Sequence, residues 1–395
     1  MLMYITITLA VVLAILDVIA YRRILSIKAN RFWHIAFACL VVIANIIPLS
    51  APLFMNVLLD IHNSEVMMKV SMFVLTLFII LTLCRITLYI FWLPSKSKKW
   101  LYTGISLSVA VFLFLMHSIF VTRTSYEVKD TEIKFKSLPK EFDGYKLAFI
   151  SDIHVGTMLN AEEELERIAE IISNENVNVV LYGGDLVNMH HSELTPAVLE
   201  KLSLIHGKEP TLAVLGNHDT GYYIRKDIEH NYTAHKDTLE SLVNSIGWKL
   251  LRDSTLFIYK GGDSIAVTGI DYTDEMLEYK HSFKHTESYD PVPVYTGLDK
   301  EIFNITISHL PQLWKVFSEG NYSDLTLSGH IHAMQVKFNI FGNYMSPAAV
   351  LYKEWSGLYE SGNSKLYIND GIGYVGFFAR IGTGPEISII TLRCE

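Results

Sequence analysis

The chain has 395 residues, 50% of them hydrophobic and 19% charged, with a formal net charge of −8 and a mean hydropathy of +0.27. That length can hold more than one domain, and the negative balance, with no basic stripe in the C-terminal part, excludes a nucleic-acid binder. Cys39 and Cys84 lie in apolar runs and Cys394 is penultimate, which makes neither a disulfide framework nor a cysteine zinc site.

In chain order, residues 3–21, 33–58, 70–93 and 101–121 are apolar stretches, each reaching the ~18–20 residues that a helix needs to cross a bilayer. The first lacks the basic n-region and cleavage site of a signal peptide and reads as a retained helix. The loop at 22–31 carries Arg22, Arg23, Lys28 and Arg31, and that at 94–100 carries Lys96, Lys98 and Lys99; 59–69 offers Asp60 and Glu65 against Lys69. The positive-inside rule puts the two basic loops in the cytoplasm and everything after Phe120 outside it. A multi-pass protein of the cell membrane with an extracytoplasmic C-terminal domain is expected. Histidines aside, Asp17 and Arg85 are the ionisable residues within the spans. They predict a buried ion pair between the first and third helices, structural or, on the sharper reading, part of a transport path. Asn45 and Pro48 are placed to kink the second span.

From about 125 the pattern turns globular, so domains are expected at 1–122 and 123–395. TEIKFKSL (131–138) alternates as a strand, and Asp143-Gly144 turns into LAFISDIH (147–154). This apolar run reads as a strand buried on both faces, with Asp152 and His154 on one side of its tip. Residues 160–174 predict a helix with Asn160 as N-cap and Glu163 in the capping-box position. VVLY then leads into Gly183-Gly184-Asp185, a helix spans 195–206, and LAVL leads into Gly216-Asn217-His218-Asp219. This βαβαβ alternation implies parallel strands with functional groups at their carboxyl ends. A helix at 233–246 and strands at 248–258 and 264–270 follow, with a more antiparallel arrangement expected there. Residues 272–300 read as a surface insertion bordering the site. Strands 303–309 and 325–332 end in His309 and in His330 and His332, and strands at 366–370 and 386–392 complete the domain.

The strand tips collect Asp152, His154, Asp185, Asn217, His218, His309, His330 and His332. Imidazoles, carboxylates and an amide oxygen suit Mn, Fe or Zn, and so many groups are enough for two divalent ions with Asp185 as bridge. Two such ions bind a phosphoryl group and supply hydroxide near neutral pH.

The set resembles the calcineurin-like metallophosphoesterase superfamily, whose pattern is D-x-H, G-D, G-N-H-D/E, H and G-H-x-H. Here Asp152-Ile153-His154, Gly184-Asp185, Gly216-Asn217-His218-Asp219, His309 and Gly329-His330-Ile331-His332 match in order over roughly 125–395. The resemblance implies a four-layer α/β/β/α sandwich behind the four-helix transmembrane region. It implies Asp152, His154, Asp185 and His332 on a first metal, and Asp185, Asn217, His309 and His330 on a second. It also implies His218 as general acid, with Asp219 orienting it. Leu138-Pro139 and the tail GIGYVGFFARIGTGPEISIITL look like the membrane-anchored, YkuE-like branch. Ile331 and Ala333-Met334 depart from that branch's G-H-T-H-G-G-Q, so substrate does not carry over from relatives.

The expected function is a membrane-anchored dimetal phosphoesterase that cleaves a phosphate ester or pyrophosphate bond with a metal-bridging hydroxide. Its partners are the bilayer and a phosphorylated, lipid-linked substrate. The alternatives are a UDP-2,3-diacylglucosamine pyrophosphatase of lipid A synthesis and, from another class, a non-catalytic membrane sensor or transporter subunit. His190 and His191 read as surface histidines, Arg380 as a substrate contact or a structural salt bridge, and Tyr222 and Tyr223 as pocket wall or packing. Asn231, Asn304 and Asn321 begin glycosylation-type triplets that matter only in a eukaryotic secretory setting.

Overall fold

The computed structural model describes residues 2–25, 31–57, 64–94, 97–223, 232–273, 276 and 289–395. Lys28, Asp60, Lys96, Asn231 and, within the expected insertion at 272–300, residues 274–275 and 277–288 lie outside the described residues. The chain divides into two compact units, Met1–Val121 with Gly376–Ala379, and Thr122–Val375 with Arg380–Glu395.

The first unit contains α1 (Leu2–Leu25), α2 (Arg31–Val57), α3 (Ser64–Trp92) and α4 (Lys98–Phe120), one at each expected apolar stretch. By length and composition, Met68–Trp92 and Lys98–Thr124 are able to cross a membrane. Helices α3 and α4 meet at Gly104, where an added Cβ would lie 2.9 Å from the Leu88 carbonyl oxygen. Asp17 of α1 is fully buried. Its carboxylate accepts from Arg85 Nη1 of α3 at 2.8 Å, Asn45 Nδ2 of α2 at 2.7 Å and the Tyr89 hydroxyl of α3 at 2.5 Å. The expected Asp17–Arg85 pair is therefore present. A buried charge needs its remaining lone pairs met, and Asn45 and Tyr89 meet them.

Among its described residues the second unit has fourteen strands in chain order: β1 (Glu127–Phe135), β2 (Lys146–Ile150), β3 (Val179–Tyr182), β4 (Leu212–Ala213), β5 (Lys249–Leu250), β6 (Ser254–Lys260), β7 (Asp263–Gly269), β8 (Asn304–Ile307), β9 (Leu325–Ser328), β10 (Phe338–Ile340), β11 (Asn343–Met345), β12 (Gly357–Ser361), β13 (Ser364–Ile368) and β14 (Glu386–Cys394). They form two six-stranded sheets, β1-β14-β2-β3-β4-β5 and β12-β13-β9-β8-β7-β6, and the hairpin β10-β11. Strands β2, β3, β4 and β5 run parallel, as the alternation with helices α5 (Ala161–Asn174), α6 (Pro196–Ser203) and α7 (Tyr232–Ser245) predicts. The second sheet has the expected antiparallel pairing at its edges, β6 with β7 and β12 with β13, and is parallel at its centre. β7, β8, β9 and β13 are parallel, and only the edge strands β6 and β12 run against them.

Alternate residues of β2 explain the layering. Leu147 and Phe149 enter the core between the sheets with Ile265, Val267, Ile305, Ile307 and Leu327. Ala148 and Ile150 face the helices with Leu165, Ile168, Leu202 and Leu239. Both faces of β2 are buried against apolar layers, hence its continuous apolar run. On the far side of the second sheet lie α8 (Val292–Tyr295) and α9 (Trp314–Glu319). The Tyr295 hydroxyl sits 2.8 Å from Thr306 Oγ1, and Trp314 packs on Leu366 and Ile368. The order of layers is helix, sheet, sheet, helix. At the start of α5 the Asn160 N–H donates to Glu164 Oε1 at 3.3 Å, rather than to Glu163.

Candidate metal centre

The site residues lie just past the strand ends, not on them. β2 stops at Ile150, β3 at Tyr182, β4 at Ala213, β8 at Ile307 and β9 at Ser328. The reason the sequence offered for Asp152 and His154, alternation along a strand, therefore fails. Both have left-handed backbone, φ 56° and 47°, as do Asp185 (59°), His330 (73°) and His332 (52°). Such conformations cost roughly 1–3 kcal/mol each and persist where the surroundings enforce them. Two glycines make room: a Cβ on Gly216 would overlap Asp185 Oδ1, and one on Gly329 would overlap Asp152 Oδ2.

The loops bring the predicted ligands together. Asp152, His154 and His332 offer atoms within 4.8 Å of one another, and so do Asp185, His309 and His330. His154 Nε2 is 3.2 Å from His332 Nε2, which is 3.0 Å from Asp152 Oδ1. Asp185 Oδ2 lies 3.2 Å from His309 Nε2 and 3.6 Å from His154 Nε2, between the two groups. His309 Nδ1 lies 2.8 Å from the Gly183 carbonyl, to which it donates. The neutral ring then turns the lone pair of Nε2 toward Asp185 Oδ2 and, at 3.0 Å, Asn217 Oδ1. The Asn217 amide is oriented by its Nδ2, which donates to the Tyr223 hydroxyl at 2.9 Å.

Acceptors facing acceptors repel unless a cation lies among them. Without a metal that cation is a proton: burial disfavours a charge on His309, but Asp185 beside it lifts the ring to about 9. Burial likewise opposes charge on Asp152 and Asp185, yet the neighbouring imidazoles hold both carboxyls well below their usual range. His154 Nδ1 and His332 Nδ1 are buried without a hydrogen-bond partner among the described residues. Converging imidazoles, carboxylates and an amide oxygen are the donor set of divalent Mn, Fe or Zn, and the residues fit such ions.

His218 is seated differently. Its backbone N–H donates to Asp185 Oδ1 at 2.8 Å, and its Nδ1 donates to the Asn188 carbonyl at 2.6 Å. The ring stacks on Tyr223 with centroids 4.3 Å apart and meets His154 edge-on at 4.7 Å. Burial pushes the imidazole down, while Asp185 and the Asn188 carbonyl favour its charged form. Asp219 does not orient this ring. Its carboxylate accepts the backbone N–H groups of Asp185 (2.7 Å), Leu186 (2.9 Å), Val187 (3.0 Å) and Gly216 (2.9 Å). Burial and the nearby Asp185 charge push Asp219 up to about 7, against the pull of these amides. It fastens the β3 loop to the β4 loop.

Other expectations divide. Tyr223 belongs to the site, whereas Tyr222 is 40% exposed. Arg380 is fully buried and, among the described residues, donates to the carbonyls of Asp370, Gly371 and Gly373 rather than to a carboxylate. It braces the turn whose Ile372 and Gly373 N–H groups donate to the Ser151 and Asp152 carbonyls at 2.9 and 2.7 Å. Asn304 is buried with its amide donating to the Tyr322 carbonyl, which closes it to a glycan. Sequence reasoning missed Asn188, since a carbonyl partner leaves no mark in the side-chain alphabet.

Residues 145–334 match the calcineurin-like phosphoesterase family. The chain is 28% identical over 280 residues to the Bacillus subtilis metallophosphoesterase YkuE, covering 68% of this chain and 85% of that one. It is 29% identical over 274 residues to a Danio rerio transmembrane protein with metallophosphoesterase domain, covering 68% of this chain and 57% of that protein. A Helicobacter pylori metallophosphoesterase is 26% identical over 311 residues, 76% of this chain and 73% of that protein. With the ligand groups described above, which fall within 145–334, these matches support a calcineurin-like metallophosphoesterase domain and a metal-dependent hydrolase.

Proposed function

We propose that the protein hydrolyses a phosphate ester or pyrophosphate bond of a lipid-linked substrate, with α1–α4 as a multi-pass anchor and the catalytic domain outside the cytoplasm. The observation that carries the catalytic part is Asp185 Oδ2 within 3.6 Å of both His154 and His309, the position of a bridging ligand between two sets. Asp152, His154, Asp185 and His332 would hold one divalent ion, and Asp185, Asn217, His309 and His330 the other. Divalent ions held there supply charge stabilisation for the phosphoryl group and acidify water. His218, anchored through Nδ1, keeps Nε2 to hand a proton to the leaving oxygen, and the Asn188 carbonyl stabilises the ring that carries it.

The lipid part rests on an exposed apolar surface beside the last ligand motif. Phe341 at the β10-β11 turn is 100% exposed, and Tyr344, Met345, Val350 and Leu351 are more than half exposed. Ser346 Oγ ties this segment to the Ala333 carbonyl at 2.7 Å, one residue after His332. Apolar patches of this kind beside a site mark contact with a membrane or an apolar ligand. The sidedness rests on the basic loops at 22–31 and 94–100.

The test is hydrolysis by the full-length chain with Mn of p-nitrophenyl phosphate, bis-p-nitrophenyl phosphate, a phospholipid and a glycolipid pyrophosphate, with Asp185→Asn as blank. Turnover that is highest on the lipids and absent in the blank supports the reading. Activity on the soluble esters alone removes its lipid part, and no activity with metal bound removes the rest. Protease access to the catalytic domain in right-side-out vesicles, but not inverted ones, tests the sidedness.

A further inference from the structure

Among the described residues, left-handed backbone outside glycine is confined to a few places, and most of them have a visible reason. An L side chain in this region crowds the following carbonyl, so each case calls for one. Asp152, Asn176, Asp185, Asp253 and Asn321 are of the two residue types that tolerate it, and His154, His330 and His332 sit in the proposed ligand sets. Ala333 (φ 47°) fills a fully buried position. Gln335 (φ 57°) is buried too; its side-chain oxygen accepts the Val375 N–H, and its carbonyl accepts the Ile381 N–H at 2.8 Å.

Met334 and Phe341 have no such reason inside the fold. Met334 (φ 50°) is 41% exposed between two buried neighbours. Phe341 (φ 52°) opens the two-residue turn between β10 and β11 and is 100% exposed. Left-handed backbone at both positions of such a turn favours Asn-Gly, and here Gly342 (φ 85°) meets the demand at the second position only. Glycine or asparagine at either place would hold the backbone with less strain and expose less apolar surface. Strain kept beside a site points to function.

Both residues belong to one surface that starts at the metal centre. Met334 follows His332 by two residues. The Ala333 carbonyl between them accepts the Val336 N–H at 3.2 Å and Ser346 Oγ at 2.7 Å, which seats the end of β11 against it. The base of the hairpin is fixed by the Lys337 N–H, which donates to the Ile381 carbonyl at 2.9 Å. We propose that Met334 and Phe341 determine specificity for a phosphate that bears a hydrocarbon chain, the chain lying along this surface from Met334 towards Phe341. This rests on the phosphoesterase reading above and adds the residues that select the substrate. Continuity with the centre favours that occupant, because a molecule held there by its phosphoryl group has its chain within reach of Met334. Covering the methylenes stabilises the complex in proportion to the apolar area removed from water.

The test is calorimetric binding of methylphosphonate and hexylphosphonate to the full-length, Mn2+-loaded chain in detergent. Wild type is expected to bind hexylphosphonate roughly 10–100-fold more tightly, a part of what full burial of about five methylenes would give. Met334→Gly and Phe341→Asn are each expected to cut that ratio roughly 5-fold, with methylphosphonate affinity unchanged and melting at or above the wild-type temperature. Tyr259→Asn, which removes a 75% exposed aromatic on β6, is expected to keep the ratio and controls for uptake into micelles. A ratio unchanged in one variant removes that residue. Unchanged in both, or lowered as much by Tyr259→Asn, it overturns the assignment and leaves the surface to the bilayer or a protein partner. A lower melting temperature in both variants overturns it too, by making the side chains packing residues. Methylphosphonate that fails to bind wild type, or binds Asp185→Asn equally, removes the metal-centre reading and this inference with it.

Discussion

The imidazole of His218 gives its Nδ1–H to the backbone carbonyl of Asn188 at 2.6 Å, while the carboxylate of the adjacent Asp219 is taken up by four backbone amides. Neighbours in one motif thus have separate tasks. One ring is held at a single nitrogen with the other left for chemistry, and one carboxylate fastens two ligand-bearing loops. Since the ring's support is a main-chain carbonyl, a change of side chain at 188 leaves it in place.

His218→Ala removes the proton donor but no proposed ligand. Turnover is expected to fall by ~10²–10⁴-fold, the usual worth of a general acid, with metal content and thermal midpoint unchanged. Steady-state kinetics beside metal analysis checks this. A variant that loses its metals along with its activity would make His218 a ligand instead.

Asp219→Ala strips four buried N–H groups of their acceptor at once. A loss of roughly 3–5 kcal/mol is expected, because unmet buried donors cost about 1–3 kcal/mol each and the loop relaxes in part. The Asp185 loop loosens with it, so metal affinity falls as well. Chemical denaturation and metal titration report the two effects. Were Asp219 an orienting group for His218, the variant would keep its stability and metals and lose turnover alone.

Gly216→Ala leaves every proposed ligand in place and still attacks the centre, since the new methyl overlaps Asp185 Oδ1. Moving a positioned group by about 1 Å costs roughly 10²-fold in rate. Turnover is expected to drop by about that factor, with weaker metal binding, while Gly247→Ala, whose Cβ meets nothing within 4 Å but whose φ of +85° disfavours any side chain, costs some stability and keeps both. Equal activity in the two variants would remove the close approach from the account.

Much of this was legible in the sequence, for identifiable reasons. Short runs ending in metal-type residues marked four strands, β2 and β3 by the continuous apolar text that strands buried on both faces leave, and β8 and β9 by Ile or Leu alternating with Asn, Thr or Ser. Asp152 and His154 were found for the right chemistry and the wrong geometry, as a left-handed backbone has no one-letter sign. Strands β10, β11 and β12 escaped notice since they are largely exposed and lack alternation. His190 and His191 read as surface residues because their partner His235 lies 44 positions away from His191 and carries no motif. The Asp17–Arg85 pair was readable because a charge in an apolar helix must find its opposite.

That pair supports the last prediction. Asp17 accepts from three side chains on two other helices, which is what a structural anchor requires and more than a snorkelling side chain would make. Asp17→Leu or Arg85→Met alone leaves one charge buried and unpaired, and each is expected to cost roughly 3–5 kcal/mol. The double variant removes both charges and should recover most of that loss, since well-packed apolar replacements of a buried pair are often near neutral. Thermal midpoints of the detergent-solubilised chain measure the cycle, and hydrolysis at a permissive temperature should be the same in wild type and double variant. A double variant as stable as wild type but inactive would assign the pair a part in function, and the anchor reading would fall.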